Sequence, residues 1–286
     1  MNQPRECWAD AFEPNDKSMA ALPLWREIFS GVEAAILHIA PIYWGLGAEH
    51  GNGEAVVVLP GFLVGDVYLT EIWAWLYRMN YKPYFSGIRV NAECPNMLIR
   101  RTLNETITRA RKETGRKVHL IGHSLGGVIA LSTAGQRPQD IASVTTLGSP
   151  FRGVAAHPNI LWMAEQVRKS IQTRHGKRVL PHCYTGHCTC NFVNSLTNNL
   201  PEDVQVTAIY SRTDGVVDWH SCVTGDPHCD FEIPGTHIGM VFNSTVYQVI
   251  ARRLAEAERD QASAAAPTIP GRTATQLFVA PSSRPM

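Results

Sequence analysis

Apolar and polar positions change rhythm near residue 54 of the chain. Before it, Leu22, Trp25, Ile28, Phe29, Val32, Ala35, Ile36 and Ile39 recur at helical spacing until Pro41 interrupts. Residues three and four apart share one face of a helix, so this spacing predicts an amphipathic helix. Its polar side is not notably basic, and the apolar side is therefore expected to pack on its own domain rather than on lipid. From Glu54 onward, short apolar runs alternate with helical patterns. Val56 to Leu59 reads as a buried strand that Pro60-Gly61 ends, and Tyr68 to Met79 as the helix after it. Lys82 to Phe85 is the next strand candidate, followed by a helix over Met97 to Thr114, capped by Asn96 and stopped by Gly115. Val118 to Ile121, Ser143 to Leu147 and Val204 to Tyr210 are further strands, while Leu125 to Gly135 and Val241 to Ala255 are helical. Strands and helices that alternate in this way predict an α/β fold: a largely parallel sheet with helices on both faces.

The rhythm divides the chain into three parts. Residues 1–53 form an N-terminal arm with the amphipathic helix, and residues 54–256 the α/β domain. Residues 257–286 form a tail rich in Ala, Pro, Ser and Thr, with little to bury and expected to be disordered, above all from Gln261 onward. Between Phe151 and Leu200 the alternation breaks, so residues 151–200 read as an insertion, expected to lie as a cap beyond the carboxyl ends of the strands, where open parallel sheets bind ligands.

Composition narrows the function without choosing it. The chain has 286 residues, is 44% hydrophobic and 18% charged, and has a formal net charge of +1 with no block of one sign. A nucleic-acid partner is not expected, and a small or apolar ligand is. No apolar run is long enough to cross a membrane. Residues Met1 to Lys17 carry Arg5, Glu6, Asp10, Glu13 and Asp16 and lack the pattern of a secretory signal, which leads to the expectation of a cytoplasmic protein.

The densest chemical signal is Gly122-His123-Ser124-Leu125-Gly126-Gly127, directly after an apolar strand and before a helix. A sharp strand-to-helix turn presents a serine hydroxyl above the sheet and requires small residues two places before and two after it. The turn also sets the hydroxyl at a helix N-terminus, where unpaired N–H groups stabilise developing negative charge, so the Leu125 N–H is one expected oxyanion donor. A serine needs a base, and the base needs an acid to hold its tautomer. Asp214 is the first acid in the turn after the strand ending at Tyr210, with Asp218 as the alternative, and His237 follows in a loop between a strand around Phe231 and a helix. His123 sits inside the elbow and is not assigned the base role. The second oxyanion donor is expected from the loop after the first strand, at the Phe62 N–H, with Gly61 allowing close approach. Phe62, Leu63, Val64 and Tyr68 are candidates for an apolar substrate wall.

Leu59-Pro60-Gly61-Phe62, the elbow, Ser211-Arg212-Thr213-Asp214-Gly215 and Gly235-Thr236-His237 together resemble bacterial esterases and lipases of the α/β-hydrolase superfamily. The resemblance runs from about Val56 to Leu254. It implies an α/β-hydrolase fold with Ser124 as nucleophile, Asp214 as acid, His237 as base, Phe62 and Leu125 as oxyanion donors, and no cofactor. It implies hydrolysis of a carboxylic ester, with an apolar acyl substrate favoured by the flanking residues. An acyltransferase with the same three residues and a non-catalytic binding protein of the same fold are the alternatives, and oligomeric state stays open.

Outside the resemblance, His182-Cys183-Tyr184-Thr185-Gly186-His187-Cys188-Thr189-Cys190 packs five possible metal ligands into nine residues. The spacing matches no usual paired zinc pattern, so no residue is assigned to a metal. Cys222 and Cys229 lie in a later loop. Simple packing of the thiols is the first expectation, and a disulfide such as Cys190 to Cys222 the second.

Overall fold

The computed structural model describes residues 17–19, 21–196, 200–201 and 203–265. Its centre is a six-stranded parallel sheet. The strands are β1 (Ala55–Leu59), β2 (Lys82–Phe85), β3 (Val118–His123), β4 (Ile141–Leu147), β5 (Gln205–Tyr210) and β6 (Asp230–Glu232). Their spatial order is β2-β1-β3-β4-β5-β6. The chain runs outward from β1 to β2, then crosses back to place β3 on the other side of β1, with Leu59 paired to Gly122. Loops leaving β1 and β3 therefore diverge to opposite faces, and the crevice between them opens at the carboxyl ends.

The helices are α1 (Ser30–Ile39), α2 (Thr70–Arg78), α3 (Asn104–Thr114), α4 (Leu125–Gln136), α5 (Pro158–His175) and α6 (Ser244–Ala265). All of β1 is buried, and its period of two splits it between two layers. Val56 and Val58 join Trp75 of α2 with Tyr247 and Leu254 of α6, whereas Val57 and Leu59 join Ile107 of α3 and Ile129 of α4. Helix α4 is buried continuously from Gly126 to Ala134, which explains why its sequence reads as apolar rather than amphipathic.

Three expectations need correction. The N-terminal segment is helical, a 3-10 stretch over Leu24–Phe29 leading into α1, but its apolar side does not pack inward. Ile39 is 82% exposed, Ile28 74% and Trp25 65%, and Phe29, Val32 and Ile36 are exposed too, whereas Glu27 is buried. The arm lies on its own domain by Glu27 and Glu33, which meet loop backbone N–H groups that need acceptors, and by Leu37, Ile42 and Tyr43, which are buried in the core. Second, Asn96 is not a cap. Cys94 precedes the helical turn Pro95–Leu98, proline takes the first position, where its missing N–H costs nothing, and a π-helical turn over Ile99–Leu103 leads into α3. Gly115 does end α3, in the left-handed region with φ 70°. Third, α6 continues to Ala265, so the start of the expected tail is helical; residues 266–286 lie outside the described residues.

The insertion carries α5 and a loop from Val179 to Cys190. It is tied down at its start, where Ala155–Ala156 pairs in parallel with Lys17–Ser18 of the arm and Ala156 bridges Val217 beyond β5. Among the described residues, no helix is long and apolar enough to cross a membrane.

Candidate active site

Strand β3 delivers Ser124 into the crevice. Its φ of 52° and ψ of −124° are rare for a residue with a side chain, and such strain persists only where the surroundings over-determine it. Here the Ser124 N–H donates to the Leu147 carbonyl at 2.8 Å, and the Ser124 carbonyl accepts from the Gly127 N–H at 3.0 Å. The glycines around it leave no alternative. A Cβ on Gly122 would run into the backbone of Gly126 and Gly127, and one on Gly126 into the Leu59 and Pro60 carbonyls. Gly122→Ala is expected to cost at least about 1–3 kcal/mol, because only backbone could yield. A thermal melt checks this: an unchanged midpoint would contradict the reading.

Asp214 and His237 meet beyond the carboxyl ends of β5 and β6. His237 Nδ1 lies 2.6 Å from Asp214 Oδ2, and Asp214 Oδ1 accepts from the Val216 and Val217 N–H groups at 2.8 and 2.9 Å. Both side chains are buried. Burial alone would push the imidazole pKa down, but the Asp214 carboxylate, its hydrogen bond and the Glu27 carboxylate outweigh it, and the pKa lies above its ordinary value. The other candidate acid, Asp218, is engaged elsewhere: it caps the 3-10 turn Trp219–Cys222 and holds His220 Nδ1 at 2.7 Å.

His123 is held neutral. Burial, with the neighbouring His237, pushes its pKa down to about 3, and its Nε2–H donates to the His237 carbonyl at 3.0 Å. Its ring lies 4.8 Å from that of His237, so it packs against that imidazole.

The loop after β1 approaches the elbow closely: a Cβ on Gly61 would lie 2.9 Å from His123 Nδ1 and 3.1 Å from the Ser124 Cβ. Asn91, fully buried, supports this loop by donating from its side-chain amide to the Pro60 carbonyl at 2.8 Å, while its backbone carbonyl accepts from the Leu63 N–H at 3.0 Å. Among the described residues neither the Phe62 nor the Leu125 N–H donates a hydrogen bond, and Leu125 is the first residue of α4, whose N–H has no intrahelical acceptor. Ser124 and His237 face the same space without a hydrogen bond between them, as is common in unliganded sites.

That space is a cavity of about 410 Å³. Phe62, Leu63, Val64 and Tyr68 line it, together with Leu161 and Met163 of α5, from the insertion. Tyr68 also donates to the Ile238 carbonyl at 2.6 Å, so it both packs and fastens the histidine loop. The walls are overwhelmingly apolar, with Ser124 and His237 among the few polar groups that line them.

The cysteine-rich stretch lies along the same cavity without forming a metal centre. His182 and His187 are exposed while Cys183 and Cys188 are buried, and among the described residues no three metal-ligating side chains gather. Nor are Cys190 and Cys222 joined. Cys222 packs with Ala156 and Val217, Cys190 lines the cavity, and Cys183 packs with Cys94 and Ile171; all six described cysteines are free thiols.

Sequence reasoning missed Glu27, Glu33 and Asn91. Glu27 Oε1 accepts from the His237 N–H at 3.0 Å, and Glu33 Oε1 from the Thr236 N–H at 3.0 Å, so the arm is part of the site. A faint signal exists, since Arg26, Glu27, Glu33 and His38 are the ionisable residues in an otherwise apolar and small stretch, but nothing local says what they face.

A family model described as the alpha/beta hydrolase fold matches residues 99–175, the stretch that contains the elbow. The chain is 57% identical over 37 residues, 13% of its length, to a triacylglycerol lipase of Pseudarthrobacter phenanthrenivorans and to another of Burkholderia plantarii. The matched stretch spans 12% of the first relative and 10% of the second. A monoglyceride lipase from Saccharomyces cerevisiae superposes with a TM-score of 0.48 at 15% identity, covering 73% of this chain and 90% of that one. A carboxylesterase from Bacillus subtilis gives 0.44 at 10%, covering 80% and 98%. The parallel sheet with its crossover between β1 and β3, the strained serine elbow and the match over residues 99–175 show that the chain has the α/β-hydrolase fold.

Proposed function

We propose that the protein is a serine hydrolase of the esterase and lipase kind that cleaves carboxylic esters with an apolar acyl group. The observation that carries this reading is the Asp214–His237 pair opening onto the same apolar cavity as Ser124 on its strained turn. The lipase names of the short-range relatives agree with it.

In this reading Ser124 Oγ attacks the ester carbonyl carbon while His237 Nε2 takes its proton. The Phe62 and Leu125 N–H groups receive the charge that develops on the carbonyl oxygen. The tetrahedral intermediate collapses, the C–O bond to the alcohol breaks, and His237 returns the proton to the leaving oxygen. Water then attacks the acyl-enzyme, giving its proton to His237, and the acid leaves as Ser124 is regenerated. Asp214 keeps the histidine proton on Nδ1 and stabilises the imidazolium.

Turnover of short- and long-chain p-nitrophenyl esters tests the reading, with intact-mass detection of the acyl-enzyme. Turnover is expected, with kcat/KM greater for the longer chain. Because His237 must be neutral to accept the serine proton and its pKa is raised, activity should fall as pH drops through a value above the ordinary imidazole pKa of about 6.5. Folded protein that neither turns over nor acylates overturns ester chemistry. Dominant transfer to an added alcohol in place of hydrolysis would make it an acyltransferase.

A further inference from the structure

The arm buries Leu37 but leaves most of the large apolar side chains of its helical stretch in solvent, with a carboxylate beneath. Glu27, 8% exposed, accepts three backbone N–H bonds, from Gly215 and His237 at its Oε1, each at 3.0 Å, and from Ile238 at its Oε2, at 2.8 Å. Gly215 is the residue after Asp214, so one carboxylate bridges the acid turn and the histidine loop. The fit is close. A Cβ on Gly215 would lie 2.9 Å from Glu27 Oε1 and 2.6 Å from the Pro23 carbonyl oxygen. No Lys or Arg forms a salt bridge with Glu27 among the described residues; three N–H donors take the place of a cation for this buried charge. Six residues further along, Glu33 accepts from the Thr236 N–H and hydroxyl, fastening the same loop a second time.

We propose that Glu27 is a positioning residue for the Ser124, His237 and Asp214 site, its carboxylate fixing the histidine loop against the acid turn so that His237 is aimed at the serine. The proposal rests on the reading of that site as an ester hydrolase. Two loops that leave different strands, β5 and β6, are joined upstream by the Ser211 and Thr213 hydroxyls, which donate to the Gly235 carbonyl at 2.7 and 2.8 Å, and at the reacting groups by the Asp214–His237 contact, about which the imidazole can swing. Clamping the backbone on both sides of that contact removes the swing.

Glu27 also contributes charge. The groups facing His237 are Asp214 on the acid turn, Glu27 from the arm, His123 from the elbow and, through the carbonyl of Ile238, Tyr68; Glu33 reaches the loop one residue earlier, at Thr236. Of these, Asp214 and Glu27 favour the imidazolium, and His123 stays neutral.

Glu27→Gln keeps the shape but turns an NH2 toward at least one of the three N–H donors. Its kcat is expected to fall about ten- to hundredfold with KM little changed, because a small misalignment of reacting groups costs that much. With one negative charge removed, the acid limb of the pH profile should move to lower pH, so the weaker enzyme keeps its activity further into acid. Glu27→Asp should restore the limb while kcat stays low. A purely structural residue would lower the melting temperature and the fraction of sites titrated by a fluorophosphonate but leave the limb in place. NMR titration of the His237 ring in wild type and Glu27→Gln reads the same charge effect without turnover, so it decides the proposal even if ester hydrolysis is not found. Equal kcat per titrated site and equal ring titration would overturn it. If Glu27→Gln does not fold, amide hydrogen exchange on the wild-type protein gives the answer. Protection at Gly215, His237 and Ile238 supports the clamp, and exchange as fast as in open loops refutes it.

Discussion

Ser124→Ala is expected to lower kcat for ester hydrolysis by about a millionfold, the loss that follows when the nucleophile of a serine–histidine–acid site is removed. The protein should fold as before. The positive φ at Ser124 is imposed by its hydrogen bonds to Leu147 and Gly127 and by the glycines that flank it, none of which involves the hydroxyl. An alanine there keeps the Cβ and the strained turn, losing only an Oγ that has no hydrogen-bond partner among the described residues. Steady-state assay, intact mass after incubation with ester, and a thermal melt read the three consequences together. A variant that still accumulates acyl-enzyme, with the wild-type melting temperature, would mean that another side chain is the nucleophile.

Asp214→Asn should cost about ten-thousandfold in kcat while leaving the cavity intact, and the hydrogen bonds around Asp214 give the reason. Its Oδ1 is committed to two backbone N–H donors, those of Val216 and Val217. An asparagine must therefore turn its carbonyl oxygen toward them and its NH2 toward His237. Facing a donor, His237 Nδ1 has to be the acceptor, which puts the ring proton on Nε2, where it blocks acceptance of the serine proton. Loss of the carboxylate also leaves burial as the main influence on the imidazole, so its pKa should fall and the residual activity should persist to lower pH. Asp218→Asn is the informative contrast. Asp218 caps a 3-10 turn, and its replacement is expected to cost no more than about 1 kcal/mol of stability with little effect on kcat. The opposite result, loss of activity in Asp218→Asn and retention in Asp214→Asn, would exchange the roles of the two acids.

Much of the site was legible because its parts obey local rules. The elbow needs glycines at set offsets from a serine, strands that are buried on both faces are short apolar runs, and the acid and histidine follow strands whose ends must lie on the same side of a parallel sheet. Those constraints act within a few residues, so they leave a mark in the sequence. The boundary at Asn96 was misread for the same reason: an asparagine before an apolar run is a cap signal, but Pro95 had already started the helix one residue earlier.

The amphipathic arm shows where local reading stops. Residues Leu22 to Ile39 have a clear helical period, and the period determined a helix. It could not determine which side faces the protein. That was decided by what waits underneath, a pair of loops whose N–H groups at Gly215, Thr236, His237 and Ile238 have no acceptor of their own and whose need is met by Glu27 and Glu33. An unsatisfied buried N–H costs as much as a good deal of apolar burial, so the polar side turned inward and the apolar side was left in solvent. By itself the sequence determined the sheet and the serine turn, since each follows from short-range sterics and periodicity, while the order of Ser124, Asp214 and His237 was read from its resemblance to a known pattern. The tertiary structure alone decided that the arm belongs to the site, that Asp214 rather than Asp218 holds the histidine, and that the insertion walls the cavity, because each depends on contacts between segments far apart in the chain.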